Sequence, residues 1–176
     1  DIQKFGGQGI TIHPRPDERH IRYQDARDLK SIVYTEYNIE GNPEKSFMDL
    51  VLEIKPTQVT LVPDAVDAIT SNAGWDTIKN EAYLTEIIQE FQRNGIRTSI
   101  FVDPVLEMIE GAKKIGTERI ELYTEAFAHE YGLGNERGID PYVKSAILAN
   151  ELGLGINAGH DLSLDNIQFF NQNIPG

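Results

Sequence analysis

Two hydrophobic periods take turns along this chain. Short runs of β-branched and apolar residues, each bounded by Gly, Pro or Asp, predict strands over residues 9–13 (GITIH), 37–41 (YNIEG), 58–63 (QVTLVP), 97–103 (RTSIFVD), 119–124 (RIELYT) and 154–160 (LGINAGH). Between them the spacing becomes helical. Phe47, Leu50, Val51 and Ile54 fall at i, i+3, i+4 and i+7, as do Leu84, Ile87, Ile88 and Phe91, and Val105, Met108, Ile109 and Ala112. Weaker patterns predict helices over residues 24–33 and 140–152 and another opening near Ser163, while residues 1–7 read as the tail of a helix. Asn42-Pro43 and Asp103-Pro104 each read as an N-cap followed by a first-turn proline. Gly95, Gly116 and Gly153 stand where helical runs should stop.

Strands alternating with helices imply parallel pairing through helical crossovers, and the chain reads as a single α/β domain over residues 1–176. An open doubly wound sheet and a barrel both satisfy that pattern. No glycine fingerprint for a dinucleotide and no phosphate-binding P-loop is present. The reactive side chains decide for the barrel. His13, Glu40, Asp103, Glu121, Thr124 and His160 lie at or near the C-terminal ends of five predicted strands. A (β/α)8 TIM barrel gathers those ends around one site, whereas an open sheet scatters them. Six strands do not close such a barrel, so the expectation is units two to seven of eight, truncated at both ends.

Composition narrows the function. With 176 residues, 40% of them hydrophobic and 25% charged, the chain can build one core. It has no cysteine, which excludes disulfides, zinc thiolates and a cysteine nucleophile and fits a reducing compartment. No apolar run approaches the roughly 18 residues of a membrane span. The net charge of −12 argues against nucleic acid as a partner. It also requires that any phosphate be held by a local cluster of cations and backbone N–H groups.

Four constellations carry candidate chemistry. In His13-Pro14-Arg15-Pro16-Asp17-Glu18-Arg19-His20, the densest cationic stretch, Arg15 offers a planar fork for phosphate and His13 and His20 can move protons; a self-paired surface loop is the alternative. Glu40 shares a strand face with Asn38, and burial there would lift its pKa toward that of a general base; the alternative is a structural ion pair. Glu121 has the same position on its strand, with a salt bridge to Arg119 or Arg97 as the alternative. In Asn157-Ala158-Gly159-His160-Asp161, small residues admit a ligand to the backbone and His160 would stand just ahead of a helix start; a core histidine is the alternative. Thr70 lies on a long loop after the third strand. His129 reads as a surface residue, and Trp75 as either a packing anchor or a ligand contact. No lysine ends a strand, which disfavours an enzyme Schiff base, and no HxH or HExxH pattern supports a catalytic metal. These residues point to acid–base chemistry on a phosphorylated metabolite.

The stretches GITIHPRPDERHI, YNIEG, VTLVPD, ITSNAGWD, RIELYTE and GINAGHDLS, in this order along nearly the whole chain, resemble the pyridoxine 5'-phosphate synthase family. The resemblance implies a cytoplasmic, homo-oligomeric barrel enzyme of vitamin B6 biosynthesis without a cofactor. Such an enzyme condenses 1-deoxy-D-xylulose 5-phosphate with 3-amino-2-oxopropyl phosphate, releasing inorganic phosphate and water. It further implies His13 as an acid–base group, Glu40 as general base, His160 as proton donor and Glu121 as a transition-state stabiliser. Arg15, His20 and Thr70 would hold the deoxyxylulose phosphate. Asp161 would contribute its backbone to the other phosphate, although glycine stands there in some relatives. The family's first and last strands have no counterpart here. The competing expectations are another phosphosugar barrel enzyme, such as an epimerase or aldolase, and a non-catalytic truncated barrel that only binds phosphate ligands.

Overall fold

The strands form because each alternates one face toward helices and one face toward the opposite side, and the computed structural model describes them within residues 1–64 and 73–176. The strands are β1 (Gly9–Ile12), β2 (Glu36–Gly41), β3 (Gln58–Leu61), β4 (Arg97–Val102), β5 (Arg119–Leu122) and β6 (Gly155–Ala158). They make one parallel sheet in the order of the sequence, β1-β2-β3-β4-β5-β6. The helices are α1 (Tyr23–Lys30), α2 (Lys45–Ile54), α3 (Glu81–Arg93), α4 (Leu106–Lys114), α5 (Glu125–Gly132), α6 (Asp140–Glu151) and α7 (Ile167–Asn173). Right-handed crossovers in an unreversed strand order put successive helices on the same side of the sheet.

That side holds the core. Ile39, Val59, Leu61, Ile100, Val102, Ile120 and Leu122 from the strands meet Leu50, Val51, Leu84, Ile88, Phe91, Ile109 and Phe127 from the helices, all buried. Burying each such side chain is worth about 1.5–3 kcal/mol before entropy is counted. Gly41 lets β2 lie close to α2, since a Cβ there would overlap the Phe47 ring.

The other side is concave and polar. Glu40 on β2 and Glu121 on β5 share a side-chain hydrogen bond. Three strand spacings separate them, about 14 Å in a flat sheet, so the sheet must curl to join them. The fold is an α/β half-barrel, and the sequential order excludes the reversal of a doubly wound sheet.

Several boundaries differ from expectation, mostly at the strand ends. Ladders stop one or two residues early, leaving His13, Asp103, Thr124 and His160 in the loops beyond them. The two expected caps do other work. Glu44 is the N-cap of α2, and Asn42 instead donates its side-chain amide to the carbonyl of Asp64 at 2.6 Å. Val105 is the N-cap of α4, and the Asp103 carboxylate accepts the N–H of Gly74 at 3.1 Å. Both residues tie neighbouring loops together at the rim. The final helix begins at Ile167, after a turn in which Asn166 Oδ1 accepts the N–H of Ser163. Residues 1–7 hold a 3-10 turn at Ile2–Phe5. Helix α5, with Phe127 as its buried anchor, has no counterpart among the helices the spacing predicts. Gly95, Gly116 and Gly153 do end helices, each with φ in the left-handed region (76°, 83° and 72°). Among the described residues no helix is long and apolar enough to cross a membrane.

Candidate active site

A cavity of about 950 Å³ opens at the C-terminal ends of the strands and runs down the concave face. His13, Arg15, His20, Glu40, Glu121 and His160 all line it. Asp161 adjoins His160 at its edge, and Thr70 lies outside the described residues.

His13 comes directly after β1, whose Ile12 is level with Ile39, so His13 comes level with Glu40. Burial above all, with the charge of Arg15, then of Arg19, pushes its pKa down to about 4 against the opposing pull of Asp64. His13 is therefore a neutral imidazole at pH 7, able to accept a proton. Arg15 is buried and places Nη2 3.1 Å from Asp64 Oδ2, with His13 Nε2 3.9 Å from the same oxygen. The cationic loop is thus fastened inward at Arg15 by an acid from the loop after β3, while Arg19 pairs within the loop with Asp17 at 3.4 Å. His20 stands exposed on the cavity's outer wall.

Among the described residues Glu40 makes no ion pair of the kind expected as the alternative; its nearest titrating partner is another acid. Desolvation first, then the charge and hydrogen bond of Glu121, hold its carboxyl well above the ordinary range, opposed by a hydrogen bond from Asn38 Nδ2 at 3.1 Å. Desolvation also raises Glu121, while the hydrogen bond from Glu40 and the charge of His160 pull it down. The two carboxyls titrate as a pair, and burial raises both. Neither arginine offered as a partner of Glu121 takes that role. Arg119 donates to Asn157 Oδ1 and to the carbonyl of Ile156. Arg97 is held by Glu36 and Gln58.

His160 closes the far side. Its Nδ1 lies 2.5 Å from Asp161 Oδ2, and its ring meets Tyr123 edge-on at 5.1 Å and Phe101 at 6.1 Å. The Thr124 hydroxyl donates to its backbone carbonyl. The ring is thus fixed by an acid, two aromatic rings and a backbone anchor, instead of sitting in the core. It does not stand at a helix N-terminus, because five residues of loop separate Asp161 from the start of α7. Asp161 takes φ +62°, a left-handed conformation that aspartate tolerates better than most side chains.

The residues not singled out from sequence are supports: Asp64 behind Arg15, Asn38 behind Glu40, and Tyr123 and Phe101 around His160. Two of them carried a signal in the sequence: Asp64 is an acid just past a strand-ending proline, and Asn38 shares a strand face with Glu40. Among the described residues, no group of three or more His, Cys, Asp or Glu is arranged to hold a metal ion. Trp75 is a packing residue, tilted against Tyr83 with ring centroids 6.3 Å apart, and His129 is exposed.

Known proteins share this arrangement at two levels. Flavocytochrome b2 with sulfite bound superposes with a TM-score of 0.56 at 15% identity, over 99% of this chain and 51% of that one. A D-psicose 3-epimerase from Clostridium cellulolyticum H10 gives 0.50 at 10%, over 89% and 75%. These likenesses show the fold alone. Sequence similarity goes further. Pyridoxine 5'-phosphate synthase of Flavobacterium johnsoniae is 86% identical over 176 residues, which is 100% of this chain and 74% of that one. The same enzyme of Christiangramia forsetii is 64% identical over 175 residues, 99% of this chain and 74% of that one. The family described as pyridoxal phosphate biosynthesis protein PdxJ matches residues 1–176, and the chain belongs to that family.

Proposed function

We propose that the cavity on the concave face joins 1-deoxy-D-xylulose 5-phosphate to 3-amino-2-oxopropyl phosphate, yielding pyridoxine 5'-phosphate, inorganic phosphate and water. Family membership makes the chain a ring-closing enzyme of vitamin B6 biosynthesis. The observation that carries the residue-level reading is the Glu40–Glu121 pair, two carboxyls of raised pKa that share a cavity with the imidazoles of His13 and His160. The amino ketone brings its own amine, so imine formation needs no enzyme lysine. Water loss, phosphate loss and ring closure complete the reaction, and each of these steps moves a proton.

In this reading Glu40 takes a carbon-bound proton, with Glu121 stabilising the charge that develops. His13, neutral at pH 7, exchanges protons with the substrate oxygens above Glu40. His160, oriented by Asp161, delivers a proton to the departing group. Arg15, and His20 at the rim, hold the deoxyxylulose phosphate, together with Thr70. The backbone at Asp161 faces the second phosphate. The six β/α units correspond to units two to seven of an eight-unit barrel, a reading supported by the unreversed strand order and by relatives of which the chain covers 74%. The protein assembles as a homo-oligomer.

Incubating the purified protein with both substrates and monitoring pyridoxine 5'-phosphate by chromatography tests the proposal. Product formation supports it. Retained phosphate binding with no product would reduce the site to a binding cavity.

A further inference from the structure

Along the lower wall of the cavity, on the concave face, a line of side chains runs from the N-terminal mouth of the sheet up to Glu40. Arg97 of β4 donates to both carboxylate oxygens of Glu36 of β2, at 2.9 and 2.6 Å. Its Nε donates to Gln58 Oε1 at 2.8 Å. Gln58 Nε2 donates to Asn38 Oδ1 at 3.2 Å, and Asn38 Nδ2 donates to Glu40 Oε1 at 3.1 Å. From Glu36 to Glu40 the chain of bonds climbs about 13 Å of strand.

Its direction is set by chemistry. An amide has one end that donates and one that accepts, and either end can point up. The neighbours Thr60 and Thr11 do not choose between them for Asn38, because a hydroxyl serves as donor or acceptor. Arg97 does choose. A guanidinium only donates, so Gln58 must turn its oxygen down to Arg97 and its nitrogen up. Asn38 must then turn its oxygen down to Gln58, which leaves a nitrogen facing Glu40. Glu36 holds Arg97 in place by a forked ion pair.

We propose that Arg97, Gln58 and Asn38 are positioning residues for Glu40, a one-way chain of hydrogen bonds that keeps a donor aimed at its carboxylate throughout the reaction. The donor fixes the carboxyl rotamer and favours its charged form against burial and against Glu121. It thereby keeps Glu40 able to give its proton up and take one again. The proposal rests on the reading of Glu40 as the base. The other groups around Glu40 are Glu121 of β5, Asp64 after β3, His13 and Arg15 after β1 and His160 after β6, and the variants below leave all of them in place.

The test measures the Glu40 carboxyl by carbon-13 NMR titration, assigned by its loss in Glu40→Gln, alongside the dependence of kcat on pH. Gln58→Glu accepts from Arg97 but cannot donate upward, so Asn38 turns its oxygen to Glu40. The titration and the acid limb of kcat should both rise by about one pH unit. Gln58→Met, which adds no charge, should raise them by about half a unit. Arg97→Lys, still a donor only, should leave them in place. No movement in either Gln58 variant overturns the proposal, and so does movement in Gln58→Glu alone, which would be the effect of an added charge. A Glu40→Gln variant with undiminished turnover removes Glu40 from the mechanism instead, and the NMR titration still decides whether the chain orients its carboxyl.

Discussion

Glu40 and Glu121, carried on strands three apart, share one hydrogen bond between a half-buried and a buried carboxyl. Folding therefore places two acids of like charge side by side where burial weakens their hydration, and both are raised above the ordinary carboxylate value. Well below pH 4.5, the usual value for glutamate, folded and unfolded chains both hold these protons. Above it the unfolded chain releases them and the folded chain resists, so the pair takes away stability as pH rises.

Glu40→Gln should show both sides of that arrangement. The amide can donate to Glu121 and accept from Asn38, as the protonated acid does, while carrying no charge. The variant should gain about 1–2 kcal/mol of stability at pH 8 relative to the parent, and the gain should vanish near pH 4. Turnover should fall at least tenfold, equal to about 1.4 kcal/mol of barrier. Urea denaturation at the two pH values, with steady-state kinetics, reads both effects.

His13 works in the opposite sense. Its pKa falls to about 4, so between there and the ordinary 6.5 the unfolded chain binds a proton that the folded chain refuses. Stability should be lost as pH drops through that window and be unaffected by His13 above it. His13→Asn should flatten the decline, with a difference approaching about 3 kcal/mol at pH 4. Denaturation curves at half-unit steps from pH 4 to 7.5 measure it, and parallel curves for parent and variant would contradict the burial account.

The sequence carried the strands, the three strong amphipathic helices and the catalytic candidates, because each depends on local pattern or on a residue type with unusual chemistry. It did not carry the partners. Asp64 behind Arg15 and Tyr123 beside His160 acquire their roles only when the fold brings separate loops together, whereas Asn38, on the same strand face as Glu40, is placed by local alternation and only its hydrogen bond is new. The misplaced caps have the same origin. Asn42 and Asp103 are good cap residues by propensity, but at the strand ends their side chains bind the next loop instead. Helix α5 is illegible in the pattern because Phe127 is its one buried anchor, too little for a periodic stripe.

Arg15 and Asp64 form an ion pair that is almost wholly buried, with side chains 10% and 5% exposed. Arg15→Met leaves the Asp64 carboxylate in a dry loop without its guanidinium and should cost about 3 kcal/mol. Adding Asp64→Asn should restore most of that stability, because the charge that needed a partner is gone. It should not restore the deoxyxylulose phosphate site, so KM stays raised in the double variant. A thermal melt and a KM determination on the three proteins separate the fastening role of Arg15 from its ligand role.

Asp161 combines a left-handed backbone with a short contact to His160 Nδ1, and two substitutions pull these features apart. Glycine accepts φ +62° without steric cost, whereas alanine pays about 1–2 kcal/mol for it. Asp161→Gly should therefore fold as well as the parent, and Asp161→Ala should lose about 1 kcal/mol or more. Both remove the carboxylate that orients the imidazole, so both should lower kcat by a similar few-fold factor. Both also take a negative charge away from the phosphate that the backbone here is proposed to face, which should lower KM for 3-amino-2-oxopropyl phosphate. Equal stability of the glycine and alanine variants would mean that the backbone conformation carries no strain. An unchanged kcat in both would mean that Tyr123, Phe101 and the Thr124 anchor suffice to hold His160 in place.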